Sequence, residues 1–426
     1  MNPNIAKIIE NINKGIIPEG YKKTKVGIVP VEWDVIKAKE VFVNITNKKH
    51  GGQLEILSAT QNRGIIPRSQ VDIDIKYEKE NTLNYKKVEK GNFVISLRSF
   101  QGGIEYSEYE GIVSPAYTVL SSKVEICNNY YKVFFKSLEY IQRLNTAVYG
   151  IRDGKNISYD DFSLIYIPFP PLPEQQKIAE ILSTQDKLIE LYERKIEQLK
   201  TLKKGYLQKM FPKKGCKYPE LRFKGFTEPW EQRKLGEIGQ TYTGLSGKTK
   251  EDFGHGKAKF VTYMNVFSNP VAEISMTEPI EIDKRQNEIK YGDVFFTTSS
   301  ETPEEVGMSS VWLENGDNTY LNSFCFGYRP IENINPFYMA YMLRSESVRK
   351  KITFLAQGIS RYNISKNKMM EISIPLSKIE EQKKIGDYFR NLDRLITLHQ
   401  HKLDKEKQKK KALMQLLLTG KVRVST

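Results

Sequence analysis

The chain has 426 residues, of which 39% are hydrophobic and 11% aromatic, so it has room for two or three folded domains and is not a disordered protein. No apolar run approaches the roughly 20 residues that span a bilayer. Residues 1–10 also lack the features of a secretory signal, so we expect a cytoplasmic protein without membrane contact. The net charge of +15 suits a polyanionic partner such as nucleic acid, although a basic protein with no special partner would look the same.

The cysteines and histidines are too few and too scattered to predict a metal site. Cys127, Cys216 and Cys325 lie far apart in the chain, so they form neither a disulfide framework nor a paired-cysteine motif. The 4 histidines show no ligand spacing either. We therefore expect no metal in this chain, and the pattern argues against a zinc hydrolase.

The dominant feature of the sequence is an internal repeat with a period of roughly 207 residues. Glu174 and Gln175 match Glu381 and Gln382, and the similarity continues along the segment that follows each pair. Weaker matches extend upstream through both halves. A repeat of this length indicates gene duplication, so the chain is predicted to contain two copies of a divergent domain, each followed by a better-matched helical tail.

Each divergent domain is predicted to mix strands and helices. Segments rich in β-branched and aromatic residues predict strands at 41–44, 93–97 and 117–121 in the first copy and at 260–264, 294–298 and 324–328 in the second. Aromatic-rich segments predict a closing helix at 130–144 and another at 337–355. Residues 1–20 are predicted to add a helix.

Each tail is predicted to form one long helix, because hydrophobic residues recur at alternating steps of four and three, as in a coiled coil. Pro173 and Pro212 mark the ends of the first helix, over residues 174–210. The predicted seam consists of Ile178, Leu182, Ile189, Tyr192, Ile196, Leu199, Ile385, Phe389, Leu392, Ile396, Leu403 and Leu413. Two such seams favour an antiparallel pair of helices, although each helix could instead pack on its own domain.

The predicted fold class is α+β, with two pseudo-symmetric mixed α/β domains joined by two long helices that form an antiparallel coiled coil. The domains are expected at residues 1–170 and 213–375, and the helices at 171–212 and 376–426. Most of the excess positive charge lies in the helical segments. Any recognition of DNA bases by the divergent domains must therefore come from particular loops.

Two motifs come close to a catalytic pattern without completing it. The segment ending in Gly247, Lys248 and Thr249 resembles a phosphate-binding loop, but Tyr242 stands where the first glycine belongs. Residues 335–338 resemble the Asn-Pro-Pro-Tyr motif of amino-methyltransferases, with Phe337 in place of the second proline. We expect Asn335 to cap a helix there instead. The sequence predicts no self-sufficient catalytic site.

Several stretches resemble the specificity subunit of Type I restriction-modification systems. They are residues 171–182, 220–238, 292–296, 358–365 and 374–385. The resemblance covers nearly the whole chain. Its most specific element is a proline followed by a Glu-Gln pair at the start of a helix. This element occurs twice, about half a chain length apart.

The resemblance implies a non-catalytic subunit that binds double-stranded DNA. Each divergent domain would be a target recognition domain that reads one half of a split site, and the helices would set the gap. Two methylation subunits would dock on the helices and carry AdoMet, and restriction subunits would add cleavage that depends on ATP and Mg. No cofactor is expected in this chain itself.

By position, we expect DNA contacts in the loops that follow the glycine-led strands and in the segments before the tails. The candidates are Arg98, Ser99, Gln101, Arg152, Lys155 and Asn156 in the first copy, and Thr298, Ser299, Arg361, Tyr362 and Asn363 in the second. Arginine can bind guanine and asparagine adenine, while lysine and serine serve phosphates. For Asn156 and Asn363, a conformational role in a turn is an equal alternative.

Other interpretations stay open. A stand-alone AdoMet-dependent DNA methyltransferase would transfer methyl groups without partners, and a stand-alone nuclease would likewise act alone. A coiled-coil scaffold would show no salt-dependent DNA binding. A silent specificity gene would leave the methylation pattern of its genome unchanged.

Overall fold

The computed structural model describes residues 3–51, 53–71, 79–147, 157–359 and 361–425. These residues form two compact units, one within 1–191 and 402–426 and the other within 192–401. Both long helices, Leu172–Lys209 and Ile379–Leu417, contribute one part to each unit. The first unit is therefore assembled from two separate stretches of the chain, whereas the second is continuous.

The first unit is built around a four-stranded sheet in the order Phe42–Ile45, Thr118–Ser122, Phe93–Ile95, Glu105–Tyr106, with antiparallel neighbours. Its other strands are Tyr21–Thr24, Gly27–Pro30, Asp34–Lys37, Leu57–Thr60, Gly64–Pro67, Lys86–Val88, Gly111–Val113 and Tyr166–Phe169. Its short helices are Pro3–Asn13, Ala38–Val41, Ser99–Gly102, Asn128–Phe134, Leu138–Ala147 and Tyr159–Ser163, with 3-10 turns at Arg68–Gln70 and Lys79–Asn84. Aromatic rings fill the core, where Phe42 lies 5.5 Å from Phe93 and 5.2 Å from Tyr131 between ring centroids.

The second unit repeats this arrangement with the sheet order Gly239–Thr243, Cys325–Pro330, Val294–Thr297, Ser309–Val311, again antiparallel. Its other strands are Glu231–Lys234, Phe253–Val261, Thr277–Ile280, Ser299–Ser300, Thr319–Leu321, Tyr362–Asn363 and Ser373–Leu376. Its short helices are Leu235–Ile238, Tyr263–Ser268, Pro336–Met342, Glu346–Phe354 and Lys366–Met370, with 3-10 turns at Lys250–Asp252 and Ile274–Met276. The α+β fold with two copies of one domain is confirmed.

The long helices pair antiparallel in each unit. In the second unit Tyr192 lies against His399, and Tyr206 lies against Tyr388. In the first unit Gln185 Nε2 donates to Glu406 Oε2 at 2.6 Å. Of the predicted seam residues, Ile178, Leu182, Ile189, Ile196, Leu199, Ile385, Phe389, Leu392 and Leu403 are buried, and Tyr192, Ile396 and Leu413 are partly buried. Among the described helices, none combines the length and apolar character needed to cross a membrane.

Two ion pairs across the helix pair repeat the internal symmetry. Lys410 Nζ lies 2.5 Å from Asp186 Oδ1 in the first unit, and Lys203 Nζ lies 2.5 Å from Asp393 Oδ1 in the second. These four residues occupy matching positions in the two copies. Part of the positive charge of the tails is therefore neutralised within the helix pair.

The glutamate of the second Glu-Gln pair is a buried anchor for its unit. Glu381 is fully buried, and its carboxylate accepts two hydrogen bonds from Arg222, from Nε at 2.7 Å and from Nη2 at 2.9 Å. The indole of Trp230 donates to the same carboxylate at 3.1 Å. Buried carboxylates persist when they are paired and hydrogen-bonded in this way. These hydrogen bonds hold the start of the second long helix against the segment that contains Arg222 and Trp230, which lies at the start of the second domain.

The first unit builds the same anchor from different parts of the chain. Glu174 is buried and accepts from Trp33 Nε1 at 2.8 Å and from Arg423 Nε at 2.8 Å. Arg423 follows the second long helix, whereas Arg222 follows the first. Each unit thus receives its arginine from the segment after the helix that ends in it.

The glutamine of each pair stabilises a neighbouring turn. Gln175 accepts from Cys127 N at 3.0 Å and donates to Pro170 O at 2.8 Å. Gln382 accepts from Asn335 N at 3.0 Å and donates to Ser377 O at 2.7 Å. The repeated Glu-Gln pair is therefore explained by structure, because both side chains satisfy buried polar groups.

Several predicted element bounds differ from the structure. The strand expected at 260–264 ends at Val261, because Thr262 Oγ1 accepts from Asn265 N and caps the helix Tyr263–Ser268. The closing helices expected at 130–144 and 337–355 are each split in two. At both breaks a serine hydroxyl, on Ser137 or Ser345, donates to the carbonyl three residues earlier. The first long helix runs over Leu172–Lys209, slightly offset from 174–210.

Replacing Glu381 by alanine should lower the free energy of unfolding by about 3–5 kcal/mol, because Arg222 and the Trp230 indole would stay buried without their acceptor. The exposed neighbour Glu380 is the matched control, and its alanine variant should lose less than about 1 kcal/mol. Urea unfolding followed by tryptophan fluorescence measures both. Equal losses would contradict the anchoring role.

Candidate nucleic-acid interface

An aromatic residue directly precedes an inner strand of the four-stranded sheet in each unit. Tyr117 comes before Thr118–Ser122, and Phe324 comes before Cys325–Pro330. The two residues occupy matching positions in the repeat. Both lie beside residues that sequence analysis selected as DNA-binding candidates, so these positions define the candidate interface of each unit.

In the first unit, several cations surround Tyr117. Burial raises the pKa of the Tyr117 hydroxyl, and the charges of Arg68 and Arg98 partly oppose this rise. Lys86 Nζ donates to the Tyr117 carbonyl at 2.5 Å, and burial followed by the charge of Lys48 lowers the pKa of Lys86. A cluster of like charges is costly in an isolated protein and becomes favourable when it faces phosphates.

The candidates of the first unit have different environments. Arg98 and Gln101 are exposed at the short helix Ser99–Gly102. Ser99 is fully buried, and its hydroxyl accepts from Ser96 N at 2.9 Å. Ser99 therefore stabilises the turn that presents Arg98, and its buried hydroxyl does not fit the DNA contact predicted for it. Arg152, Lys155 and Asn156 lie outside the described residues.

In the second unit, the backbone holds Phe324 in an exposed position. Thr298 donates twice to the Phe324 carbonyl, from N at 2.9 Å and from Oγ1 at 2.8 Å. The Phe324 amide donates to Asn322 Oδ1 at 2.8 Å. Phe324 nevertheless remains 60% exposed. Thr298 therefore positions Phe324, and its own hydroxyl is already engaged.

The remaining candidates of the second unit are brought together by a short strand pair. Ser299 pairs with Asn363, and Ser300 pairs with Tyr362, in an antiparallel ladder. The backbone of Asn363 also exchanges two hydrogen bonds with Gln357, at 2.8 and 3.0 Å. Asn363 therefore lies in a short strand and not in a turn, and it is exposed near the exposed Arg361.

Neither aromatic residue was among the DNA-binding candidates predicted from the sequence. Tyr117 and Phe324 were assigned to the starts of strands, where an aromatic residue is expected to be core. Exposure separates Phe324 from the core aromatics, whereas Tyr117 packs partly against a core cluster. Arg68 and Lys86 were missed because they are distant from Tyr117 in sequence.

The two near-catalytic motifs have structural roles. Lys248 is 11% exposed and lies 3.0 Å from Asp283 Oδ2, so it is not presented to a phosphate. Tyr242 donates to Asp293 Oδ2 at 2.6 Å. Asn335 Oδ1 accepts from Tyr338 N at 2.9 Å, which is the predicted helix cap. Within the part of the chain that the structure describes, no group of three or more His, Cys, Asp or Glu side chains could hold a metal ion.

Comparison with known families agrees with the duplicated fold. Residues 30–201 and 227–407 each match the family described as Type I restriction modification DNA specificity domain. The chain belongs to this family. It carries two copies of the specificity domain, one match beginning before Trp33 and the other before Trp230.

Relatives named as specificity subunits are similar over almost their full length. The putative type I restriction enzyme MjaX specificity subunit of Methanocaldococcus jannaschii is 27% identical, over 96% of this chain and 98% of the relative. The type I restriction enzyme MjaVIII specificity subunit of the same organism is 26% identical, over 95% and 96%.

Solved structures share the fold at low sequence identity. A chain from a study of complex assembly and conformational transition of the type I R-M system has a TM-score of 0.57 and 15% identity, with 92% of this chain and 99% of that chain covered. The type I restriction-modification S subunit from M. genitalium has a TM-score of 0.52 and 16% identity, with 92% and 97% covered.

Replacing Arg361 by alanine should weaken binding of the specific DNA by about 1–3 kcal/mol, since an exposed arginine on this surface can contact a base or a phosphate. Arg390, which stacks on Phe337 from the second long helix, is the matched control and should have no comparable effect. Fluorescence anisotropy with labelled duplex measures both affinities. Unchanged affinity with intact folding would remove Arg361 from the interface.

Proposed function

We propose that this chain is the DNA specificity subunit of a Type I restriction-modification complex and that each unit reads one half of a split DNA target. The observation that carries the proposal is the double match to the specificity-domain family, one copy in each half of the chain. Aromatic and basic side chains at the same fold position of both units support it, with Phe324 exposed and Tyr117 partly buried. Tyr117 lies among the charges of Arg68 and Arg98, whereas Phe324 lies beside Arg361. This difference in chemistry suits two different half-sites.

The chain would contribute recognition and leave catalysis to its partners. Methylation subunits would carry AdoMet, and restriction subunits would use ATP and Mg. The structural roles of Lys248 and Asn335 support this division, because the two motifs closest to a catalytic pattern stabilise the fold. The relatives named as specificity subunits support it as well.

The long helices would provide the surface on which methylation subunits dock. Their seam faces are buried, yet some large apolar side chains point to solvent. Leu191, Leu202, Leu395 and Leu398 are between 43% and 56% exposed. Apolar side chains on an otherwise charged helix surface favour association with a partner protein.

The purified chain mixed with AdoMet and DNA should transfer no methyl groups, and addition of its methylation subunits should give transfer to adenine N6. Incorporation of labelled methyl groups measures both reactions. Transfer by the chain alone would instead establish a stand-alone methyltransferase. Absence of DNA binding at any salt concentration, with the subunits bound, would establish a scaffold.

Substitutions in the two units should affect different halves of the target. Arg98→Ala should relax base preference in one half only, and Arg361→Ala in the other only, because each side chain belongs to a separate unit. Selection from random duplexes by the complex reads out both halves at once. A variant that relaxed both halves equally would contradict the assignment of one half to each unit.

A further inference from the structure

A pocket of about 280 Å³ opens beside Phe324 in the second unit. Its apolar walls are formed by Tyr263, Phe267 and Met264 together with Phe324 itself. Usual sites for drug-sized ligands are about 300–1,000 Å³, so this pocket suits one ring system and not a larger molecule. Its position beside Ser299 and Arg361 places it on the candidate DNA interface.

The aromatic walls are held in place without a ligand. Tyr263 and Phe267 stack with ring centroids 6.0 Å apart and an interplanar angle of 18°. The Tyr263 hydroxyl donates to Ser299 O at 2.7 Å, which fixes its ring against the short strand pair. Three hydrogen bonds fix the backbone of Phe324, two from Thr298 and one to Asn322. A rigid site loses little conformational entropy when a planar group enters.

The polar groups of the pocket include two carboxylates and one guanidinium. Ser300 Oγ and Thr302 Oγ1 both donate to Glu305 Oε2, at 3.2 and 2.9 Å, which orients that carboxylate. Glu301 and Arg361 complete the polar lining. Two carboxylates repel a phosphate, but they accept hydrogen bonds from the exocyclic amino group of a base.

We propose that this pocket receives a single nucleobase with an exocyclic amino group, cytosine or adenine, after that base has left the stack of the target duplex. The proposal rests on the proposed function and adds a ligand site to it. The base stacks on Phe324 and on the Tyr263 wall, and its amino group donates to Glu301 or Glu305. Arg361 contacts the strand from which the base has turned out.

The chemistry of the pocket favours a nucleobase over other occupants. Proteins that hold an extruded base stack it between aromatic or apolar side chains and read its edge by hydrogen bonds. Every base has a π-face that stacks on an aromatic ring, so the walls supply affinity and the carboxylates supply selection. An aliphatic side chain of a partner protein would gain nothing from the carboxylates.

The test uses the full chain with its methylation subunits and duplexes that carry the motif selected from random DNA. Each duplex in a series has one base pair replaced by a mismatch. At one position of the half read by the second unit, other than the adenine that becomes methylated, the mismatch should tighten binding about tenfold, because the cost of unpairing is already met. At that position, replacing the amino-bearing base by thymine should abolish the gain.

Phe324→Ala should lose this gain while Phe354→Ala retains it. Phe354 is a matched control because it is 89% exposed and does not line the pocket. Fluorescence of 2-aminopurine at the same position gives a second readout, which should be high for an unstacked base in Phe324→Ala and quenched by stacking in the wild type. Circular dichroism confirms that both variants are folded.

Three outcomes would overturn the proposal: no position at which a mismatch tightens binding, a gain that survives in Phe324→Ala, or a Phe324→Ala defect in binding the methylation subunits with normal DNA binding. These outcomes leave the proposed function intact, because the selection of a motif from random DNA already shows that the complex recognises a specific sequence. Failure to select any motif would instead contradict the proposed function, and the base pocket with it.

Discussion

The two units depend on a carboxylate that is buried at the start of a long helix. Glu174 and Glu381 each accept hydrogen bonds from an arginine and a tryptophan. A buried charge of this kind is tolerated only while its partners stay in place, so it specifies where the helix, the domain entry and the arginine-bearing segment meet.

The anchor also explains how a duplicated chain makes two similar units from unequal parts. Arg222 comes from the segment that follows the first long helix, and Arg423 from the segment that follows the second. Each unit therefore takes its anchoring arginine from the segment that follows the long helix ending in that unit. The matched ion pairs Lys203–Asp393 and Lys410–Asp186 also depend on both long helices, because each pair joins one residue from each helix.

The two copies agree in the framework and differ at the interface. The anchors, the serines at the helix breaks and the helix seams recur in both copies. Around the matched aromatics, however, Tyr117 has arginines and lysines, whereas Phe324 has Tyr263, Met264, two carboxylates and Arg361. This division is what a protein needs if both units keep one architecture while reading different DNA sequences.

Sequence analysis predicted the framework because its physical signals are local or periodic. The helix seams follow from a repeating spacing, and the Asn335 cap follows from the residue type at a helix start. The Glu-Gln pair was recognised as a repeat, yet its role depends on Arg423 and Trp33, which meet it only in the fold. The DNA contacts stay predictions: Arg98, Arg361 and Asn363 are exposed, whereas Ser99 is buried. Exposure of Phe324 could not be predicted, because it results from hydrogen bonds to a distant threonine.

The most direct measurement is a genome-wide map of N6-methyladenine in the source organism, with and without this gene. The account predicts that one motif with two fixed halves and a constant gap loses its methylation when the gene is deleted and regains it when the gene is restored. A methylation map that does not change in a strain expressing the gene and its methylation subunits would contradict the account.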